Sequence, residues 1–98
     1  NGRIPNLPAD AMVEVPVMTS AMGMRGLDMD PLPEGIAEMC RRELAYSSLV
    51  VDAAYHGNKE LALQALLLDP MMNEIDRARA ILDDFLLEFA EYLPQFTG

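Results

Sequence analysis

Basic residues, cysteine and long apolar runs are all scarce in this sequence. Seven Lys and Arg residues face sixteen Asp and Glu residues, which gives a formal net charge of −9 over 98 residues. That balance argues against nucleic acid and anionic membrane surfaces as partners, because both are negatively charged themselves. The single cysteine, Cys40, cannot form an internal disulfide, which favours a reducing, cytoplasmic compartment. No apolar run reaches about 18 residues and the amino end lacks a signal-peptide pattern, so neither a membrane span nor secretion is predicted.

Motifs that carry chemistry are missing as well. No GxGxxG or GxxxxGK stretch occurs, so no phosphate-binding loop is predicted. Ser48, Asp52 and His56 share one helical face, but a nucleophile triad needs His between Ser and Asp. Cys40 and His56 are separated by about 24 Å of helix, too far apart to bind one metal ion. We expect no catalytic, cofactor-binding or metal-ligating residue in this chain, and we interpret Cys40 as a small buried apolar side chain.

One long helix, predicted over residues 33–56, dominates the chain. Pro33 suits a first helical turn, and Gly57 suits a left-handed cap at the end. Between Leu44 and Tyr55, Asp52 is the only charged residue, so this half of the helix is apolar on nearly every side. Such a helix must be covered on more than one side. A chain of this length can hardly supply that cover.

Two further helices are predicted after the long one. The second spans 59–68, with Asn58 as its cap and Asp69-Pro70 as its stop signal. The third spans 74–93, with Asn73 as its cap and a proline directly after its end. The acidic side chains of the third helix, Asp83, Asp84, Glu88 and Glu91, are interpreted as a solvated face and not as acid–base groups.

The amino-terminal third is predicted to hold a β-hairpin. Residues 1–11 are rich in turn formers and are predicted to be irregular. Alternating valines predict a strand over 12–18, followed by a loop over 19–24 and a returning strand over 25–30. Pro16 has no N–H to donate, so the first strand is predicted to be an edge strand or to be paired on one side only at that residue. An isolated hairpin is marginal in water, so this one needs another surface. Five methionines of the hairpin either form an adaptable binding surface or pack against whatever completes the fold: Met12, Met18, Met22, Met24 and Met29.

Together these elements predict one α+β, mostly helical segment over residues 1–98. A hairpin at about 12–30 packs on three helices within 31–98; the family resemblance described below implies that this segment is part of a larger substrate domain. Apolar residues make up 51% of the chain, which is high for its length. This content indicates either that much of the surface meets a partner or that the chain is a piece of a larger protein. Two hypotheses follow: a piece of a larger protein, or a free-standing helical interaction or dimerisation module.

Several stretches match one known pattern in register. GRIPNLPAD (2–10) and VEVP (13–16) are similar to a G-x-I-x-N-L-P…VEVP signature. DPLPEGIAEMC, from Asp30, is similar to a stretch in which Leu-Pro opens a long helix. Residues 49–72 are similar to a helix pair that ends in Asp-Pro, and EYLPQF (91–96) to the usual end of the protein. The family that these stretches resemble is glycoside hydrolase family 4, in its carboxy-terminal part.

The resemblance implies a parent enzyme that depends on NAD and a divalent metal, usually manganese. Such enzymes oxidise the sugar at C3, remove the C2 proton, eliminate the aglycone, then add water and reduce. The dinucleotide fold, the metal-binding Cys and His and the catalytic Asp and Tyr lie upstream of the signature, so none is carried over to this chain. The implied role here is structural. Its implied partners are the rest of the parent enzyme, which acts on a glycoside, and a second copy in a homo-oligomer. Asp69-Pro70 favours the α-glucosidase- and α-galactosidase-like members.

Overall fold

The computed structural model describes residues 2–96, which form one β-hairpin and three α-helices. The predicted α+β, mostly helical class is therefore confirmed. The chain divides into two compact units, residues up to 44 and residues from 45 onward, and the boundary falls inside the first helix. The elements in chain order are β1 (Val17–Ser20), β2 (Gly23–Gly26), α1 (Glu34–His56), α2 (Lys59–Leu67), α3 (Ile75–Glu88) and a 3₁₀ turn (Pro94–Phe96).

The hairpin is shorter than the sequence predicts. The strands expected over 12–18 and 25–30 and the loop expected over 19–24 are wrong in their bounds. β1 and β2 pair antiparallel, and Ser20 lies opposite Gly23. The turn between them therefore takes two residues only, and a hydroxyl supports it: the Ser20 Oγ accepts the Met22 N–H at 3.1 Å.

Two features end the strand ladder at Pro16. The Leu27 N–H donates to the Pro16 carbonyl at 2.9 Å, but proline has no N–H to return the second bond of that pair. Further along, the Met29 N–H donates to the Arg3 carbonyl at 2.8 Å, and the Arg3 guanidinium donates to Asp28 at 2.7 Å. Arg3 thus takes the place of the next β1 residue, so the strand predicted from residue 12 does not form.

Both ends of α1 follow the sequence signals. At the start, the Ala37 N–H donates to the Pro33 carbonyl at 2.9 Å, which closes the first helical turn. At the end, Gly57 has a φ of 64°, the left-handed conformation predicted for it. The Asn58 N–H then donates to the Ala53 carbonyl at 3.1 Å. This bond belongs to the Schellman motif, which satisfies carbonyls that a helix end otherwise leaves without a donor.

α2 has the cap that the sequence predicts. The Asn58 side-chain oxygen accepts the backbone N–H groups two and three residues later, at 2.9 and 3.2 Å. The helix ends at Leu67, one residue before the predicted end. The chain then turns at Asp69, whose carboxylate accepts the Met71 N–H at 2.9 Å. The Asp69-Pro70 pair therefore stops the helix, as predicted.

α3 begins one residue later than predicted, and its cap differs. Asn73 was expected to cap the helix, but the N-cap is Glu74, which makes no side-chain capping bond. Glu74 is still extended, with φ −126° and ψ 120°, so helical geometry starts only at Ile75. The helix packs against α2, where Ala78 is fully buried.

The same helix ends at Glu88 and not at the predicted residue 93. Beyond it, the N–H groups of Tyr92, Leu93 and Phe96 each donate to the carbonyl three residues earlier. Bonds of this span make tighter turns than the α-helix. Apolar periodicity continued through this stretch, which is why the sequence predicted a longer helix.

Few side chains of the described residues are buried, and most of those are alanines. Large apolar side chains of α1 stay in solvent: Val51 is 64% exposed and Tyr55 is 83% exposed. Among the described residues, the apolar half of α1 is therefore covered only in part, on the side where Ala53 is buried. The buried apolar residues are Leu7, Ala11 and Ala37 in the first unit and Ala53, Leu63, Ala65 and Ala78 in the second.

We expect Gly57→Ala to lower the free energy of unfolding by at least about 1–2 kcal/mol, because a left-handed conformation costs that much for a residue with a Cβ. The new Cβ would also overlap the Gln95 carbonyl. Gly35→Ala is the matched control, since a Cβ there meets nothing within 4 Å. That change should raise stability by up to about 1 kcal/mol. Urea denaturation followed by circular dichroism measures both, and a neutral Gly57→Ala would contradict the cap assignment.

Candidate functional site

Asn6, inside the NLP signature, binds the backbone just before α1. Its side-chain amide donates to the Leu32 carbonyl at 2.9 Å, and its side-chain oxygen accepts the Leu32 N–H at 2.9 Å. The Asn6 side chain thus satisfies both the backbone N–H and the backbone C=O of Leu32, as a neighbouring strand would. Because Leu32 lies directly before Pro33, this pair of bonds fixes where α1 begins.

Arg41 of α1 completes a polar cluster around the same point. Its guanidinium donates to the Glu34 carboxylate at 2.6 Å and to the Glu38 carboxylate at 3.2 Å. A second nitrogen of the guanidinium donates to the Asn6 backbone carbonyl at 3.0 Å. The signature loop and the first two turns of α1 are therefore joined by charge-assisted hydrogen bonds, which are stronger than neutral ones.

Three pKa values are shifted within the first unit, and each shift comes from an ion pair. The hydrogen bond from Arg41 lowers the pKa of the Glu34 carboxyl below its ordinary value. The same bond raises the pKa of the Arg41 guanidinium. The hydrogen bond from Arg3 likewise lowers the pKa of Asp28. These shifts hold the carboxylates ionised and paired, so the cluster suits anchoring and does not suit proton transfer near neutral pH.

The second unit contains an apolar groove of about 250 Å³. Two of its lining residues, Leu93 and Phe96, come from the tight turns after α3. Gln95 ties those turns to the end of α1, because its side-chain amide donates to the Ala54 carbonyl at 3.1 Å. The groove supplies apolar contact area, and its lining residues carry no charge. Its other lining residues are Tyr46, Val50, Ala53 and Ala54 of α1, Ala62, Ala65 and Leu66 of α2, and Leu82, Phe85 and Leu86 of α3.

The residues of the apparent triad and of the apparent metal pair all lie on α1. Ser48 and His56 are eight residues apart on it, about 12 Å along the axis, so they are too far apart to share a proton. The His56 ring instead contacts the edge of Tyr55, with ring centroids 5.0 Å apart. Cys40 is half-buried with a free thiol, so the prediction that it is buried is only partly right.

A resident metal does not fit the described residues. Among residues 2–96, no three His, Cys, Asp or Glu side chains come together as a possible metal site. Cys40 and His56 stand on one helix about 24 Å apart, so one ion cannot bind both. Within the same described range, no helix is long and apolar enough to cross a membrane.

Two groups of side chains extend into solvent. The four acidic residues Asp83, Asp84, Glu88 and Glu91 are all exposed, which agrees with the predicted solvated face. All five methionines of the hairpin region are exposed too, and Met22 in the turn reaches 97%. Whether the methionines bind a partner or pack inside a larger fold stays open at this point.

Sequence reasoning did not single out the cluster around Arg41. A signal was present: Glu34, Glu38 and Arg41 are spaced four and three residues apart, which places them on one helical face. The contact with Asn6 could not be found in this way. It joins residues 35 positions apart, and only the fold brings them together.

The sequence is similar to one family of known proteins. The family model described as the Family 4 glycosyl hydrolase C-terminal domain matches residues 1–72. The chain belongs to this family. The glycosidase resemblance of the signature stretches is thereby confirmed, and the family model describes one domain of a longer protein. α3 and the turns after it lie beyond the matched residues.

Three relatives show how much of such a protein this chain represents. It is 29% identical to the probable 6-phospho-beta-glucosidase of Bacillus subtilis (strain 168), covering 98% of this chain and 22% of that protein. It is 32% identical to the alpha-galactosidase of Rhizobium meliloti (strain 1021), covering 99% and 20%. It is 34% identical to the phospho-alpha-glucosidase PagL of Clostridium acetobutylicum, covering 87% and 19%. The chain thus spans about a fifth of these glycosidases, and their names include both phosphorylated and unphosphorylated substrate types.

Glu34→Gln should test the polar cluster through pH. The folded pKa of Glu34 is lowered, so its stabilising contribution is present above the unfolded pKa and is lost as pH falls through the folded pKa. The variant should therefore be less stable than the unsubstituted chain at pH 7, and this difference should disappear on acidification. Thermal melts at several pH values measure the difference in stability. Glu91→Gln makes the same charge change outside the cluster, and an equal effect from that control would contradict the assignment.

Proposed function

We propose that this chain is the structural carboxy-terminal part of a glycosidase that hydrolyses O-glycosidic bonds by NAD-dependent oxidation and elimination. The observation that carries the proposal is the family match on a chain that spans about a fifth of its relatives. NAD, the divalent metal (manganese in this proposal) and the reacting glycoside belong to the rest of the parent enzyme. When bound there, NAD and the metal supply the redox and Lewis-acid chemistry.

The exposed apolar side chains of α1 support this proposal on physical grounds. Burying a large apolar side chain is worth about 1.5–3 kcal/mol, so exposed residues such as Val51 and Tyr55 are costly in a chain that acts alone. In a parent enzyme, upstream chain would cover them. The apolar content of 51% is then ordinary, because it belongs to a larger core.

The contribution of this chain is to position and not to react. The Asn6–Leu32 bonds and the Arg41 cluster hold the signature loop against the start of α1. Gly57 and Asn58 then fix the turn from α1 into α2. A rigid support of this kind keeps residues of the parent site in place, which is what precise catalysis requires of a scaffold.

Further parts of the proposal concern partners and substrate. A second copy of the parent enzyme in a cytoplasmic homo-oligomer is proposed, because large apolar side chains stay exposed in both units of this chain. Asp69-Pro70 favours α-glucosides or α-galactosides as substrates. The same exposed area also favours a second candidate function, a free-standing helical interaction or dimerisation module.

Calorimetry and activity assays on the 98-residue chain test whether it is a complete enzyme or has one of the two non-catalytic roles proposed above. We expect no heat of binding with NAD, none with Mn²⁺, and no glycosidase activity. The parent enzyme, assayed as the control, should bind NAD and hydrolyse a glycoside. Tight NAD binding by the chain alone would contradict the proposal.

The coding sequence decides between the parent enzyme and the free-standing module. Because the chain spans about a fifth of its relatives, we expect the reading frame to continue upstream over most of the length of such a glycosidase. A start codon directly before Asn1 would instead support the module.

A further inference from the structure

The outer edge of β1 is a row of backbone groups that the hairpin does not use. In an antiparallel pair, residues alternate between those that bond their opposite partner and those that point away from it. The Leu27 N–H donates to the carbonyl of Pro16, which lies directly opposite. Residues an even number of positions from Pro16 along the strand therefore direct their backbone polar groups toward β2. Val17 and Thr19 lie an odd number of positions from Pro16. Their N–H and C=O groups therefore point away from β2.

The alternation continues before β1. Val13 and Val15 would extend the outward row, whose backbone groups point away from β2. Pro16 belongs to the inward row, whose backbone groups point toward β2. The missing N–H of Pro16 therefore interrupts pairing with β2 and leaves the outer edge intact. The exposure of residues 12–16 alternates with period two, and only Val13 and Val15 are half-buried. This alternation is typical of a half-buried strand.

Val15 and Pro16 both lie close to β2, Pro16 through the hydrogen bond from Leu27. A Cβ built on Gly26 would lie 3.3 Å from the Val15 Cγ2, so Val15 sits over the space that the glycine leaves. The outward row consists of three valines and a threonine, residue types that favour strands. The outer edge of β2 is less suited, because its outward row contains Gly26 and the ion-paired Asp28.

We propose that Val13–Thr19 accepts a third strand, supplied by an extended segment of the parent enzyme outside residues 1–98. The inference rests on the proposed function. Two observations favour this occupant: the hairpin is exposed almost throughout and too small to be stable alone, and about four-fifths of the length of the relatives lies outside the match.

Hydrogen exchange in the parent enzyme tests this assignment residue by residue. The amides of Val15, Val17 and Thr19 should exchange at least about 100-fold more slowly in the parent enzyme than in the 98-residue chain. The Met18 amide, which faces β2, is the internal control for an intact hairpin. Free exchange of the outward row in the folded parent enzyme would overturn the inference. Protection in the isolated chain that rises with concentration would also overturn it, in favour of a second copy.

A pair of proline variants in the parent enzyme gives an independent test. Val13→Pro removes an outward N–H and should speed exchange at Val15 and Val17 at least about tenfold. Glu14→Pro removes an inward N–H at a place where Arg3 already bonds the opposite strand, so it should leave those rates unchanged. Equal effects of the two variants would overturn the inference. Glycosidase assays on the same samples test the proposed function separately, because exchange is measured whether or not the enzyme is active.

Discussion

Burial of the apolar half of α1 is the constraint on which the rest of this structure depends. Between Leu44 and Tyr55 the helix has one charge, and the chain covers only one side of it. α2, α3 and the tight turns after α3 leave an open apolar groove along that side. A helix of this composition is stable when further chain packs on it. The glycosidases named above are about five times longer than this chain, so the proposed parent enzyme would supply that further chain.

Local polar contacts hold the chain in place where apolar burial is thin. Asn6 and Arg41 join the signature loop to the start of α1 through paired and charge-assisted hydrogen bonds. Asn58 serves both helices it joins, because its N–H closes the end of α1 and its side chain caps α2. Gln95 satisfies a carbonyl near the end of α1. These contacts set positions within each unit without depending on a large core.

Features encoded by neighbouring residues could be predicted from the sequence, and features that depend on distant residues could not. The bounds of α1 and α2 followed from Pro33, Gly57 and Asn58, whose effects are local. The strand expected from residue 12 failed because Arg3, distant in sequence from β2, takes the opposing position. The early end of α3 and the Asn6–Arg41 contact also needed the fold. The expectation that this chain holds no catalytic residue came from the family resemblance and not from the fold, and it stays a prediction.

The central claim is that other parts of a larger glycosidase cover the apolar half of α1. Hydroxyl-radical footprinting of the parent enzyme and of the 98-residue chain, read by mass spectrometry, tests it most directly. Tyr55 and Val51, both exposed in this chain, should be modified readily in the chain alone and protected in the parent enzyme. Equal modification of these two side chains in both samples would contradict the claim.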